Sequence, residues 1–266
     1  MSALLNATTT YLEAEVLDVE PTSAGRLRVS RGRFRDKREV ELDLTPLEGW
    51  LAEHPEAPPR RAAAGFAAGV GAALRSPTDA RAENLSFVDA AGGLAPVLEC
   101  ETFALGAEAA GLRPWLQPFT DGLVVAYVVD VDRGQLLLGE RRVAAWGVSD
   151  DRITSGARSM LYHRTRDLPL EEHPSSTCAF YSAGDGHDAA RATILRDLDY
   201  NRLRRGLWFA LPARNLLMLR DATDDADAAR AFLAAVEAEW DQAEHPISRR
   251  VYTYEDTRTP NPITLP

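Results

Sequence analysis

Residues Leu123-Val124-Val125-Ala126-Tyr127-Val128-Val129 form an unbroken apolar run, and no other stretch constrains the fold as strongly. A strand with one wet face alternates apolar and polar residues. A continuous apolar run this rich in valine indicates a strand covered on both faces. The turn residues Asp130 to Gly134 then lead into a second strand, Gln135 to Leu138. The fold must therefore place layers on both sides of a central hairpin.

The same unit, a strand, a tight turn, a second strand and a helix, recurs along the chain. In the first block Tyr11 to Val19 alternates loosely, Pro21 to Gly25 carries turn chemistry, and Arg26 to Phe34 and Val40 to Leu44 read as strands. Thr45-Pro46-Leu47-Glu48 has the composition of a helix start, with threonine as cap and proline in the first turn. A second helix carries Phe66, Val70 and Leu74 on one line. Gly65, Gly69 and Gly71 fall inside that helix, where small residues let a neighbour pack closely. Short strands are expected at Leu85 to Val88 and Val97 to Phe103, and a helix behind Ser149 with Ile153, Ala157, Met160 and Leu161 inward. A strand at Thr177 to Tyr181 precedes a helix capped by Asp188. The pair Leu207 to Leu211 and Leu216 to Leu219 turns at Pro212 to Asn215. Ala229, Phe232, Leu233, Val236 and Trp240 define one helical face. A last strand spans Ser248 to Tyr254, and the proline-bearing tail from Thr257 is expected to be irregular. Hairpins joined by short turns imply an α+β fold of mainly antiparallel sheets with helices packed on one face. The polar segment Asp79 to Asn84 marks a boundary between an N-terminal β-hairpin and helical subdomain, 1–80, and a C-terminal α+β domain, 85–266.

Catalytic fingerprints are missing: no GxGxxG, P-loop, GxSxG, HExxH or EF-hand pattern occurs, so no catalytic residue, metal or cofactor is assigned. The densest polar motif is Asp185-Gly186-His187-Asp188-Ala189-Ala190-Arg191. Asp185, His187 and Asp188 have the donor atoms of metal ligands, and a helix start with Arg191 beside it suits an anion. The plainer reading makes Asp188 a helix cap and Arg191 its neutralising partner. A second candidate is the basic stripe Arg26, Arg28, Arg31, Arg33 and Arg35, in which alternate strand positions share a face. It reads either as a docking surface for an acidic partner or phosphate, or as an ordinary solvated face. The five histidines are scattered, and His173 beside Ser175 and Ser176 lacks the setting of an activated nucleophile.

The net charge of −10 argues against nucleic acid and anionic lipid as partners of the whole surface. Lys37 is the only lysine. Cys100 and Cys178 match no metal spacing and read as small core residues. The start, Met1 to Asn6, lacks a basic segment and an apolar core, and no apolar run nears the ~20 residues that span a bilayer, so a cytoplasmic protein is expected.

Five segments together resemble the YtpQ-like family of bacterial proteins. They are the early strand-and-helix block, Phe119 to Val125, Asp185 to Arg191, Leu211 to Leu217, and His245-Pro246-Ile247-Ser248. The resemblance implies a cytosolic bacterial α+β protein and carries over no activity, ligand or catalytic residue. The leading expectation is a non-enzymatic adaptor or accessory factor with a protein partner. The alternatives are a ligand- or metal-binding enzyme domain centred on Asp185 to Arg191, and a chaperone or immunity-type protein that binds the product of a neighbouring gene. Self-association through exposed edge strands is compatible with all three.

Overall fold

The computed structural model describes residues 3–15, 17–23, 26–32, 37–76, 85–120, 122–131, 134–175, 178–254 and 260–264. The fold is α+β, and every strand pairing among these residues is antiparallel. A helix α1 (Ala3–Ala14) precedes a sheet of β1 (Asp18–Ser23), β2 (Arg26–Arg31) and β3 (Arg38–Asp43), followed by α2 (Thr45–Glu53) and α3 (Pro59–Arg75). Then come α4 (Phe87–Ala91), β4 (Leu94–Cys100), α5 (Thr102–Ala109), β5 (Leu116–Thr120), β6 (Leu123–Val131), β7 (Gly134–Leu137), α6 (Glu140–Trp146) and α7 (Asp150–Thr165). The last part holds β8 (Glu171–Glu172), β9 (Ala179–Tyr181), a 3-10 helix (Ala189–Ile194), α8 (Leu195–Leu198) and α9 (Tyr200–Arg205). It ends with β10 (Leu207–Ala213), β11 (Leu216–Asp221), α10 (Ala226–Gln242), β12 (Val251–Tyr254) and β13 (Pro260–Ile263).

The apolar run is the centre of the second sheet. β6 pairs with β4 along one edge and with β5 and then β7 along the other. Leu123, Val125, Tyr127 and Val129 face the main core, while Ala126 and Val128 face a separate core under α3 and α5 with Ala68 and Phe103. That division accounts for the missing alternation: both faces are dry. The six-stranded sheet, in the order β13-β12-β10-β11-β9-β8, repeats the logic. Phe209, Leu217 and Tyr252 enter the main core with Ile153, Ala157 and Leu161 of α7. Trp208, Met218 and Val251 on the opposite face pack against Phe232 and Val236 of α10. The N-terminal sheet buries Leu27, Val29 and Leu42 against Leu12, Phe66 and Val70.

α3 joins these parts. Its small residues allow backbone contact with α5, since a Cβ on Gly69 would overlap the Phe103 carbonyl and one on Gly106 the Phe66 carbonyl. No helix among the described residues is long and apolar enough to cross a membrane.

The structure corrects several expectations. Tyr11 lies in α1, not in a strand; Leu5, Thr8, Tyr11 and Leu12 are buried at helical spacing, a pattern that the threonines Thr8, Thr9 and Thr10, poor helix formers, obscure. Phe87 and Val88 lie in a helix, α4, because Ser86 caps it by accepting from the Asp89 amide at 3.2 Å. Phe103 belongs to α5, as β4 ends at Cys100. At α2 it is Asp43 that accepts from the Thr45 amide, at 2.9 Å, and the Thr45 side chain caps nothing. The tail forms β13, with Pro260 and Pro262 on the outer strand of the sheet, where proline is tolerated. The boundary proposed at Asp79 to Asn84 lies outside the described residues.

Candidate functional site

The Asp185–Arg191 motif folds into a buried polar network. Arg191 Nη1 donates to Asp185 Oδ1 at 3.0 Å and Asp188 Oδ1 at 2.8 Å, and Nη2 donates to Asp185 Oδ2 at 2.8 Å. Asp188 does not cap the following helix. Its oxygens accept from the Ala183 and Gly184 amides behind it, at 2.7 and 3.1 Å, because the chain enters the 3-10 helix already in helical conformation. Asp188 and Arg191 have no exposed surface. Burial pushes the Asp188 carboxyl up. Burial also acts to raise Asp185, but the Arg191 guanidinium outweighs it and holds that carboxyl low. His187 is turned away from this group. Its Nδ1 lies 3.0 Å from the Pro96 carbonyl, and its Nε2 is 3.3 Å from the Gln135 amide and 3.5 Å from Asp130, which Arg164 also engages. The motif is thus a strut between the loop after β9 and the strands β4, β6 and β7. No group of three or more His, Cys, Asp or Glu side chains among the described residues is placed to hold a metal ion.

Three segments far apart in the sequence, Asp185 to Arg191, Leu211 to Leu217 and His245 to Ser248, converge here. The Ala189 amide donates to the Arg214 carbonyl at 3.1 Å, and the Arg214 amide to the His245 carbonyl at 3.1 Å. The Ile247 and Ser248 amides donate to Pro212 and Leu211, each at 3.0 Å. Motifs far apart in sequence form one structural unit around the β10–β11 turn.

The side chain of Arg214 leads to a second cluster that sequence reasoning missed. Its Nη2 meets Glu99 Oε1 at 2.7 Å, and its Nη1 lies 3.8 Å from Glu15 Oε1. Glu15 is also engaged by Arg75, and His245 Nδ1 stands 3.5 Å from it. Burial pushes Glu99 up to about 7 in spite of Arg214. Burial is offset at Glu15 by Arg214 and Arg75, and its carboxyl is lowered. Arg214 and His245 border a cleft of about 520 Å³ that also reaches Asn215, His173 and Glu239. There His173 Nε2 lies 3.1 Å from Glu239 and its Nδ1 2.8 Å from the Ser175 hydroxyl. The Ser175 amide also donates to that nitrogen at 3.3 Å, so the amide that a serine nucleophile would lend to an oxyanion is already engaged. The signal for this cluster lay in β4, where Glu99 interrupts an apolar strand; a carboxylate there needs a buried partner.

The basic stripe divides. Arg26 pairs with Glu41 at 3.2 Å, and Arg28 lies 3.4 Å from Glu39 and 4.0 Å from Glu20, so both are neutralised across the sheet. Arg33 and Arg35 lie outside the described residues. Arg31 differs. It stands opposite Arg38 in the β2–β3 register. Burial and the charges of Arg75 and Arg38 lower its pKa below the ordinary value, with only Glu15 acting against them. Arg38 is pinned to the end of α3 by the Leu74 and Ser76 carbonyls. No carboxylate among the described residues lies within ion-pair distance of Arg31.

Set against known protein families, curated proteins and solved structures, the chain matches none.

Proposed function

We propose that the chain is a non-catalytic accessory protein of the bacterial cytoplasm that docks an acidic partner at the Arg31 end of its N-terminal sheet. The observation that carries this reading is the like-charge pair Arg31 and Arg38, directly opposite across two strands with Arg75 nearby. Like charges in cross-strand positions are unfavourable, and an incoming carboxylate would relieve the repulsion. Behind the pair, Arg75 and Arg214 share the buried carboxylate Glu15, and Arg214 also meets Glu99. A net charge of −10 makes such a local cationic site selective, because the rest of the surface repels acidic chains.

The rival reading, a ligand or metal centre at Asp185 to Arg191, draws less support, since Asp188 and Arg191 are fully buried, Asp188 is taken up by Arg191 and two backbone amides, and both Arg191 terminal nitrogens are taken up by Asp185 and Asp188. A chaperone or immunity-type role is a special case of docking, in which the partner is encoded by a neighbouring gene.

Affinity purification from the native cell tests the proposal. The wild-type chain is expected to retain a partner that elutes with rising salt. Arg31→Glu is expected to lose that partner with its melting temperature unchanged or raised, since the new carboxylate stands opposite Arg38. Retention of the partner by Arg31→Glu, or binding insensitive to salt, rejects the site.

A further inference from the structure

A cleft of about 370 Å³ opens where the second sheet meets the six-stranded sheet. β4, β5 and β6 supply one side, β12 and β13 the other, and α7, the 3-10 helix and α8 complete the wall. Beside it the Thr120 hydroxyl donates to the Pro260 carbonyl at 2.6 Å and ties the two sheets together. The apolar part of the wall is deep and the charged part is at the surface. Val125 and Tyr127 are only 5% and 2% exposed, and the rings of Phe119 and Tyr254 are half-buried. Arg158 and Arg196 line the same cleft with exposed side chains. No carboxylate among the described residues stands on this wall. Such a cleft suits a ligand with an apolar body and one anionic end.

The polar hydrogens of the wall sort in the same way. Its hydroxyl protons are spent inside the protein. Tyr127 donates to Gln117 Oε1 at 3.2 Å and Tyr254 to the Ala192 carbonyl at 2.8 Å. Thr154 donates to the Asp150 carbonyl at 2.9 Å and Thr193 to the Ala190 carbonyl at 2.7 Å. The aromatic residues therefore present rings to the cleft, not donors. What remains uncommitted can only donate. The Arg196 guanidinium and the Gln117 amide nitrogen meet no acceptor among the described residues. Arg158 gives Nη2 to Asp197 at 2.8 Å and keeps its other N–H groups. Arg158, Arg196 and Asp197 together carry one positive charge in excess, so a monoanion balances them. A carboxylate has that charge and the paired oxygens that a guanidinium fork matches.

We propose that this cleft binds a small aromatic carboxylate, its ring against Val125, Phe119 and Tyr127 and its carboxylate between Arg158 and Arg196, with the Gln117 amide as a further donor. Aromatic rings on the wall favour an aromatic body, through offset or edge-to-face packing. This site is separate from the Arg31 surface, and either can fail without the other.

Calorimetric titration of the full chain with phenylpropionate, its neutral amide phenylpropanamide, acetate and phenyl phosphate tests it. Phenylpropionate is expected to bind saturably. The amide, which lacks the charge, and acetate, which lacks the ring, should each be at least about tenfold weaker. Arg196→Gln changes an exposed side chain that holds no partner among the described residues, so the variant is expected to fold as the wild type does. It should weaken phenylpropionate about tenfold, the scale of one hydrogen bond to a charged group. Absence of phenylpropionate binding at millimolar concentration overturns the proposal. So does amide binding as tight as that of the acid, or an affinity unchanged in Arg196→Gln. Phenyl phosphate binding more tightly than phenylpropionate would overturn the choice of a monoanion.

Discussion

Glu99 is the acid in an otherwise apolar strand, and its protonation links stability to pH. Its folded pKa of about 7 lies above the ordinary 4.5, because burial disfavours the charged form more than Arg214 favours it. The stabilising contribution of this raised pKa is therefore complete below about pH 4.5 and is lost as pH climbs through about 7. At 1.36 kcal/mol per unit the site accounts for about 3 kcal/mol across that window. Glu99→Gln removes the titration. Measured by urea unfolding, the variant should match the wild type near pH 5 and gain on it by about that amount at pH 8; a difference independent of pH would refute the assignment. Arg191 gives the opposite case. It is fully buried between two carboxylates, and Arg191→Ala leaves both without their cation, at a cost of about 3–5 kcal/mol. A melting temperature within a degree or two of the wild type would show that the network is not structural. The sequence made the Asp185–Arg191 residues visible because they are contiguous. Glu15, Arg75 and Arg214 remained hidden because each stands alone in the chain and only the fold brings them together.

α3 shows what a helix of small residues achieves. Gly69 and Gly106 let two backbones touch where any side chain would collide with a carbonyl, so Gly69→Ala should force α3 and α5 apart at about 3 kcal/mol or more. Gly49, on the exposed side of α2 with nothing near its Cβ position, supplies the contrast. Gly49→Ala should raise stability by about 0.5–1 kcal/mol, the helix propensity difference. Chemical denaturation of both variants settles the pair, and a destabilising Gly49→Ala or a neutral Gly69→Ala would contradict it. At this scale most of the elements were legible. The hairpins β6–β7 and β10–β11 and the helices α3, α7 and α10 follow from periodicity and caps. What misled were local overrides: threonines inside α1, the Ser86 cap that turns apolar residues into a short helix, and prolines that sit comfortably on an outer strand.

For the molecule as a whole, α3 contributes to two cores at once, packing Phe66 and Val70 toward the N-terminal sheet and Ala68 toward the second sheet. A shared helix makes the two cores interdependent, so scanning calorimetry is expected to show one cooperative transition. Two resolved transitions would instead favour a division near residue 80. Sequence patterning identified the α+β class and the antiparallel pairing, because those depend on turn spacing and apolar period. It did not reveal how the sheets stack, which depends on which face of each strand is larger, nor the Glu15–Glu99–Arg214 cluster, whose members come from separate elements. The outermost strand carries a further consequence. Pro260 and Pro262 stand two residues apart in β13, each lacking the amide hydrogen that lateral strand addition requires. A second copy laid along that rim would find no donor at alternate positions, so fibre-like growth from this side of the molecule is blocked by covalent structure.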